Sequence, residues 1–487
     1  MGVGMQCFAA LACSFGSLIM GALYSWPSYT LDLYTSPNTT LLSAPMTELE
    51  SSLVGSLPSL GAMVGSSIAG LTINTIGRQK GGVVLALPFV LSWAIIGQTS
   101  SSIVVLVARF ISGIGGGAFL VFAPIFISEI AEDSIRGFLA SGPVALYCLG
   151  SLISYMCGWF LSYRAIIWAN LAGSVLCVVL CFLVVESPLY LLRQNREEDA
   201  RQAIAKYRGA TPSSKIVLEE LSRMKAQITP AVELVSVKQD ANEKNAEEAE
   251  KEKLQPDNEK TVHEDIPEEP KMSTLKLLFL SPASRRAFEV VATALSLQVF
   301  MGIVPVMVYA NTLFAQAAPN LSSNFCSVLF AIVLTSACLI TAVIADRAGR
   351  RILIISSSVM VAVTMATLGF LLQTSFAPTW MSAVVILLYC FAFNFGAGTV
   401  PYVLLSEVFV PEVQGLASML LIEWIWFLNF VIVAVFPFAS KLLGIHGMFY
   451  VFGVVAVVNA VVSYLRVPET KGLSNVQIQE ALLGKRK

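Results

Sequence analysis

Twelve apolar runs, each long enough to cross a bilayer, constrain this chain more than any other feature of its sequence. About 20 apolar residues in a helix span the hydrocarbon core of a membrane, which is roughly 30 Å thick. A helix satisfies its own backbone hydrogen bonds, so each run is predicted to be helical in lipid. The runs lie near residues 7–31, 51–73, 82–99, 102–127, 138–161, 165–185, 286–314, 325–345, 352–373, 380–408, 415–439 and 446–466.

Composition agrees with lipid as the main surroundings of the chain. Only 13% of the 487 residues are charged and 56% are hydrophobic, whereas a soluble domain carries about 25% charged residues. The net charge of −1 offers no basic surface to a nucleic acid. We therefore predict an all-α polytopic membrane protein that is partnered by the lipid bilayer and not by nucleic acid.

Histidine and cysteine content argues against metal chemistry. The chain has two histidines and nine cysteines, and every cysteine lies in or beside an apolar run. Small polarizable side chains of this kind suit core packing, and a disulfide framework or metal site is the alternative. We expect no metal site, no cofactor and no enzyme active site.

The runs form two sets of six, separated by a polar segment. Lysine and arginine are absent before the long first run, so we interpret it as a retained span rather than a cleaved signal peptide. The predicted parts are an N-terminal half, a cytoplasmic loop, a C-terminal half and a cytoplasmic tail, at residues 1–185, 186–285, 286–466 and 467–487.

Within the polar segment, residues 195–227 have the spacing of short amphipathic helices. Residues 238–271 contain no aromatic residue and more acids than bases, which predicts disorder because such a stretch cannot bury a core. This acidic stretch is either a solvated tether between the halves or a docking segment for a partner.

Basic residues in the short connections predict the orientation. The even-numbered connections are the basic ones, so we place them and both termini in the cytoplasm. Arg164 and Lys441 are exceptions. The two Asn-x-Ser/Thr sequons, at Asn38 and Asn320, fall in connections assigned to the outside and are candidate glycosylation sites. The basic residues are Arg78, Lys80, Arg136, Arg347, Arg350, Arg351 and Lys471.

The two sets of runs also repeat a series of polar landmarks. The charged turn at residues 346–351 has a weaker copy at residues 74–80. Ser128-Glu129 recurs as Ser406-Glu407, and Arg136-Gly137 recurs as Gln414-Gly415, in the same order and at one offset. Duplication of a six-span unit is typical of transporters.

Six motifs in order extend this pattern over nearly the whole chain. They are Arg109-x-x-x-Gly113-x-x-x-Gly117, Pro124-x-Phe126-x-x-Glu129-Ile130-Ala131, Arg136-Gly137, Glu186-Ser187-Pro188, Asp346-Arg347-x-Gly349-Arg350-Arg351 and Pro468-Glu469-Thr470-Lys471-Gly472. With them the chain resembles sugar porters of the major facilitator superfamily, in particular the insect facilitated trehalose transporter-like members. The resemblance implies two six-helix halves that rock about a central site in the plasma membrane.

Charged residues at the predicted cytoplasmic ends suit a gate. Gly77 and Gly349 allow tight turns, and arginines beside them can reach Glu129 and Glu407 in forked ion pairs. The resemblance implies a latch that is closed when the protein faces outward; alternatively, the charges only set the topology. The predicted gate residues are Arg78, Arg109, Glu129, Arg136, Asp346, Arg350, Arg351 and Glu407.

Several polar positions of the family are changed in this chain. In the turn and gate motifs, Asn74, Gln79, Leu189 and Gln414 stand where the family has charged residues. In the seventh run only Gln298 remains of the polar series, and Val144 and Leu334 replace amides elsewhere. The resemblance implies that the substrate-binding residues are Gln298, Asn394, Tyr402, Glu423 and Trp424.

Glu423 is the most informative of these residues. A carboxylate within a membrane helix costs about 2.5–3.5 kcal/mol on insertion scales, so it faces a cavity or a partner. Glu423 is therefore either a substrate acceptor or protonatable group, or it pairs with a loop arginine. Gln298 likewise has a binding and a structural interpretation.

Proton-coupled members of the family carry an aspartate in the first span, where this chain has Gly21-Ala22-Leu23. The resemblance therefore implies facilitative transport of a small neutral solute, such as trehalose or a hexose. We expect the protein to function as a monomer. Proton coupling remains an alternative if Glu423 takes the role of that aspartate. Loss of polar pocket residues leaves a less polar solute, such as a polyol or glycoside, as an alternative. A non-transporting sensor that uses the acidic stretch is another.

Overall fold

The computed structural model describes residues 2–226, 274–374, 377–471, 473 and 475–483. At residues 274, 342–348, 411, 475 and 476 it describes only the backbone. The chain divides into two compact units. The larger comprises Ala9–Val184 and Thr274–Lys487, and the smaller comprises Met1–Phe8 and Val185–Ser273. The acidic stretch at 238–271 lies outside the described residues, so its predicted disorder stays a prediction.

The N-terminal half contains six spans, which we number in chain order. Proline or a short non-helical step interrupts the first and fifth spans, and the other four are single helices. In chain order, the helices of the six spans are Gly2–Ser25 with Pro27–Thr35, Glu48–Ile76, Arg78–Gln98, Ser102–Ile130, Asp133–Ala140 with Gly142–Phe160, and Tyr163–Leu183.

The C-terminal half contains the seventh to twelfth spans. Its last helix is one continuous assignment that contains a non-helical residue, Gly444, at φ 71°, which separates the eleventh span from the twelfth. The helices are Pro282–Phe300 with Ile303–Val308 and Ala310–Ala317, Ser323–Ala348, Arg350–Thr374, Thr379–Asn394 with Val400–Glu407, and Pro411–Arg466.

Ten helical segments of the described chain are long and apolar enough to cross a membrane. The division at Gly444 adds one span, and the shorter apolar helix Thr379–Asn394 adds another. The predicted all-α fold with twelve spans in two halves is therefore confirmed.

Two spans of the C-terminal half are discontinuous, which the apolar runs do not reveal. The seventh breaks at Gly302, whose φ of 87° lies in the left-handed region. The tenth breaks between Asn394 and Val400. Broken helices expose unpaired backbone carbonyls, and transporters build binding sites at such breaks.

The second and fourth spans pack at backbone distance through glycine. A Cβ added at Gly117 would lie 2.0 Å from the carbonyl oxygen of Ala62, and one at Gly113 would lie 2.1 Å from that of Pro58. The small residues of the fourth span therefore do what their sequence predicts, since they let two helices approach closely.

The smaller unit is helical where it is described. Helices Pro188–Arg193, Glu197–Arg208 and residues 215–226 pack around Ile204, Val217 and their apolar neighbours. A buried forked pair joins Arg208 to Glu220 at 2.7 and 2.5 Å. The last two helices lie in the stretch for which the sequence predicts short amphipathic helices.

Candidate functional site

We call the bundle end at Gly77 and Gly349 the basic end, and the end with Asn38 and Asn320 the sequon end. At the basic end of the N-terminal half, Gly77 turns the chain with φ 97°. The next residue, Arg78, donates from Nε and Nη2 to the Glu129 carboxylate at 2.9 and 2.6 Å. Arg78 is only 2% exposed, so this forked pair is shielded from water. The contact that the sequence predicts is present, and its role as a gate stays a prediction.

The C-terminal half repeats this arrangement with an additional carboxylate. Arg350 Nη2 donates to Glu407 Oε1 at 3.0 Å. Glu469 accepts the backbone N–H groups of Arg350 and Arg351 at 2.9 and 3.3 Å, so it caps the start of the ninth span. Thr470 donates to Glu407 Oε2 at 2.6 Å. The motif after the last span thus binds the same cluster, a role that sequence reasoning missed.

Two predicted gate arginines make other contacts. Arg351 Nη2 donates to the carbonyl of Tyr464 at 2.5 Å, and its guanidinium lies 5.4 Å from the ring centroid of that residue. This corrects the prediction that Arg351 shares Glu407. Arg136 pairs locally with Asp133 at 2.7 Å, in an exposed position. The side chain of Asp346 lies outside the described part of the chain.

Arg109 does not belong with the other gate residues. It precedes Glu129 by 20 residues (129 − 109) in one helix, which corresponds to about 30 Å. Fully buried, it donates to the carbonyls of Val54 at 2.9 Å and Leu23 at 3.0 Å, and lies 5.2 Å from the Trp26 ring centroid. The prediction is corrected: Arg109 ties the first, second and fourth spans together toward the sequon end.

The Arg78–Glu129 pair lies within the N-terminal half, and the Arg350–Glu407 pair lies within the C-terminal half. Other contacts join the two halves. Near the sequon end, Lys441 forms a salt bridge with Glu48. One turn further along the second span, Ser52 donates to the carbonyl of Ala434 at 2.6 Å. The second and eleventh spans therefore run antiparallel along a common seam between the halves.

Glu423 lies on this seam. Its Oε1 accepts hydrogen bonds from the hydroxyls of Ser66 at 2.7 Å and Ser67 at 3.0 Å, both from the second span. Its Oε2 is buried, with no hydrogen-bond partner in the described part of the chain. The structure thus shows two serines of the opposite half, and not a loop arginine, as the partners of Glu423 Oε1. The predicted role of Glu423 toward substrate stays a prediction.

Gln298 and Tyr402 lie together where the two broken spans meet. Gln298 Nε2 donates to the carbonyl of Gly398, inside the break of the tenth span, at 2.9 Å. Its buried Oε1 has no hydrogen-bond partner among the described residues. Tyr402 is within interaction distance of Gln298 and is 46% exposed. A buried amide acceptor and a half-exposed aromatic ring therefore lie side by side.

Two tyrosines of the N-terminal half lie in the neighbourhood of Tyr402. Tyr24 and Tyr147 both lie close enough to interact with it. Tyr24 also stacks on Trp426 of the eleventh span, with ring centroids 6.5 Å apart and an interplanar angle of 13°. Tyr402 is thus a half-exposed ring with tyrosines of the other half in its neighbourhood. Buried aromatic rings offer faces on which a sugar ring can stack.

The remaining two predicted binding residues are engaged with protein groups. Asn394 Nδ2 donates to the carbonyl of Cys390 at 2.9 Å, and its Oδ1 accepts from the Cys338 thiol at 3.6 Å. Trp424 Nε1 donates to Ser296 Oγ at 2.9 Å, and its ring is half exposed. The structure thus brings Gln298 and Tyr402 together and places Asn394 and Trp424 in other contacts.

Comparison with known proteins decides the family. The family model "Sugar (and other) transporter" matches residues 3–242 and again 233–482. The chain belongs to this family. It is a multi-pass membrane protein, and the two matches follow the duplication seen in its landmarks.

Relatives of this transporter-family chain include two insect proteins. It is 27% identical to the facilitated trehalose transporter Tret1 of Drosophila virilis, over 99% of this chain and 49% of that protein. It is 27% identical to Tret1 of Polypedilum vanderplanki, over 99% of this chain and 88% of that protein. The chain spans about half the length of several of the curated relatives it matches.

Solved structures share the fold of this family member. The inward-open xylose transporter XylE of E. coli superposes with a TM-score of 0.73 at 20% identity, covering 98% of this chain and 99% of that one. XylE bound to 6-bromo-6-deoxy-D-glucose gives a TM-score of 0.70 at 21% identity, over 99% and 100% of the two chains.

Sequence reasoning missed Tyr24, Tyr147 and Trp426 in this transporter fold. An aromatic residue inside an apolar run is typical of core packing, and only the tertiary arrangement shows which other rings it meets. The sequons are exposed at Asn38 and Asn320, and their glycosylation stays a prediction. Among the residues described, no group of three or more histidine, cysteine or acidic side chains is arranged to hold a metal ion.

Proposed function

We propose that this protein is a facilitative carrier of a small neutral sugar, such as trehalose or a hexose, and that it works by alternating access of its two halves. The observation that carries the proposal is the meeting of two broken spans at Gln298, Gly398 and Tyr402. A free amide oxygen beside aromatic rings suits sugar hydroxyls and the apolar face of a pyranose ring.

The relatives favour this substrate class over a less polar solute or a sensor. Two of them are named facilitated trehalose transporters, and the solved structures are of a xylose transporter. The chain carries Leu23 where coupled members of the family carry an acid, which supports a passive mechanism. We further propose that it acts as a monomer in the plasma membrane with both termini in the cytoplasm.

The basic end is the proposed cytoplasmic gate. It comprises the pairs Arg78–Glu129 and Arg350–Glu407, the latter reinforced by Glu469 and Thr470. Because each pair lies within one half, the gate is proposed to hold each half rigid at this end while the halves move. Inter-half contacts then lie along the seam of the second and eleventh spans.

Uptake by purified protein in proteoliposomes tests the function. Labelled trehalose and glucose should enter in a saturable way without any ion gradient, and a proton ionophore should leave the rate unchanged. The variant Gln298→Leu should lose most of this uptake. Gln373→Leu is the matched control, because Gln373 bonds Tyr450 on an exposed surface. Uptake of all carbohydrates tested no greater than in empty vesicles would remove the proposal.

A further inference from the structure

Two cysteine thiols meet between the halves. The sulfur of Cys148, in the fifth span, lies 3.5 Å from the sulfur of Cys338, in the eighth span. The fifth span belongs to the N-terminal half and the eighth to the C-terminal half. Cys148 is 2% exposed, whereas Cys338 is partly exposed. The pair is therefore shielded on one side and reachable on the other.

The position of Cys338 is fixed by the tenth span. Its thiol contacts Asn394 Oδ1 at 3.6 Å. Asn394 is itself held, because Thr341 donates to its carbonyl at 3.0 Å and its own amide donates to the carbonyl of Cys390. Cys338 is thus anchored to the C-terminal half on one side and faces Cys148 on the other. A sulfur–sulfur bond of about 2.05 Å needs the two atoms to approach by only about 1.5 Å.

We propose that Cys148 and Cys338 are a thiol modification site that hydrogen peroxide, or another two-electron oxidant, converts into a disulfide between the halves. Peroxide transfers one oxygen to the more accessible Cys338 thiol, which becomes a sulfenic acid, and its other oxygen is released as water. The Cys148 sulfur then attacks the sulfenic sulfur of Cys338. The hydroxyl group of the sulfenic acid takes up the proton of the Cys148 thiol and leaves as a second water. Two thiols lose two electrons and two protons, and one peroxide becomes two waters.

The bond arrests the transport cycle. Alternating access moves one six-span half against the other around the central site. A covalent link between the fifth and eighth spans holds the halves in one arrangement, so solute cannot cross. Cys177 and Cys181 also contact each other, but both lie in the sixth span. A bond there would leave the halves free to move.

Formation of the cross-link can be measured on a gel, without a transport assay. A protease site is inserted between residues 238 and 271 of the full-length protein, and the protein is reconstituted, treated with peroxide and then cleaved. On a non-reducing gel the two halves should stay together, and dithiothreitol should separate them. Cys338→Ser and Cys148→Ser should each abolish the link, whereas Cys177→Ser should keep it. Separate halves in the treated parent, or a persistent link in Cys338→Ser, would overturn the proposal.

Transport supplies the second readout, which rests on the proposed sugar transport. Peroxide should lower the uptake rate of the parent by roughly tenfold or more, and dithiothreitol should restore it. Cys338→Ser should transport normally and resist peroxide, while Cys177→Ser should remain sensitive. Full cross-linking with unchanged uptake would contradict the arrest. A cross-link in a protein that moves no sugar even before treatment would instead remove the proposed function and leave the thiol site standing.

Discussion

At the scale of single residues, the informative side chains are charged groups whose neighbours are unusual for a membrane interior. Arg78 is buried in a forked pair with Glu129. Glu423 is held by two hydroxyls from the opposite half. Neither contact is needed merely to orient the chain in a bilayer, which would require only positive charge in the connections. Both contacts can therefore be tested by substitutions that keep the charge or the volume.

Arg78→Lys should show whether the ion pair with Glu129 contributes more than the positive charge that sets the membrane orientation. Lysine keeps the positive charge, so insertion should be normal, but a single ammonium cannot reproduce the two parallel hydrogen bonds. We expect a loss of about 1.5–3 kcal/mol in stability and slower sugar uptake. Lys80→Arg, an exposed change of the same kind at the same end, is the control. Thermal unfolding and uptake assays that match the parent would mean that the pair contributes only its charge.

Replacing Ser66 and Ser67 together with alanine should leave the Glu423 carboxyl without its hydroxyl donors. A buried polar group that loses its partner costs about 1–3 kcal/mol, so the melting temperature in detergent should fall. Ser336→Ala is the control, because that exposed hydroxyl bonds only within its own helix. Equal melting temperatures for the double variant and the parent would show that the seam does not depend on these bonds.

At the scale of helices, two tight turns and two broken spans determine where the polar groups of the bundle lie. Gly77 and Gly349 join consecutive spans with φ values of 97° and 89°. The breaks of the seventh and tenth spans place Gln298 against the carbonyl of Gly398. Turns fix the helix ends at the basic end, and breaks supply polar groups at the centre.

Gly349→Ala should destabilise the C-terminal half. A residue with a Cβ rarely adopts φ 89°, and holding it there costs on the order of 1–3 kcal/mol. The new carbon would also lie 2.8 Å from Glu469 Oε2. Gly415→Ala is the matched control, since a Cβ there meets nothing within 4 Å. We expect a lower melting temperature for the first variant only. The same melting temperature for both variants would contradict the proposed strain.

Hydropathy predicted the spans well because each must be about 20 apolar residues long, whatever its neighbours are. The breaks escaped prediction, since an apolar run records composition and not which backbone groups are bonded. The serine partners of Glu423 lie far away in sequence, so no local pattern indicates them. Arg109 is different: its place early in the fourth run already put it at the end opposite Glu129, and motif resemblance obscured that distance.

At the scale of the whole molecule, two matched halves meet along a seam. The second and eleventh spans contact each other from Glu48 and Lys441 to Ser67 and Glu423. Near Tyr402, Tyr24 of the N-terminal half stacks on Trp426 of the C-terminal half. The proposed transport requires relative motion of the halves, and the polar segment between them can be tested by deletion.

Deletion of residues 238–271 should leave sugar uptake within about twofold of the parent, since composition of this kind contributes no packed core. Replacement of the same stretch by a glycine-serine linker of equal length is the control for connection length. Uptake in proteoliposomes measures both. Loss of uptake in the linker variant would show that the acidic stretch itself takes part in transport.

Arg109 also bears on how the protein is made. In the bundle its guanidinium donates to the carbonyls of Val54 and Leu23 and lies over the ring of Trp26, and all three residues belong to spans that leave the ribosome before the fourth. An isolated helix with a buried arginine enters lipid at a substantial cost. Here the first two spans can receive the guanidinium as it arrives, so N-to-C synthesis delivers the acceptors ahead of the charge they accommodate.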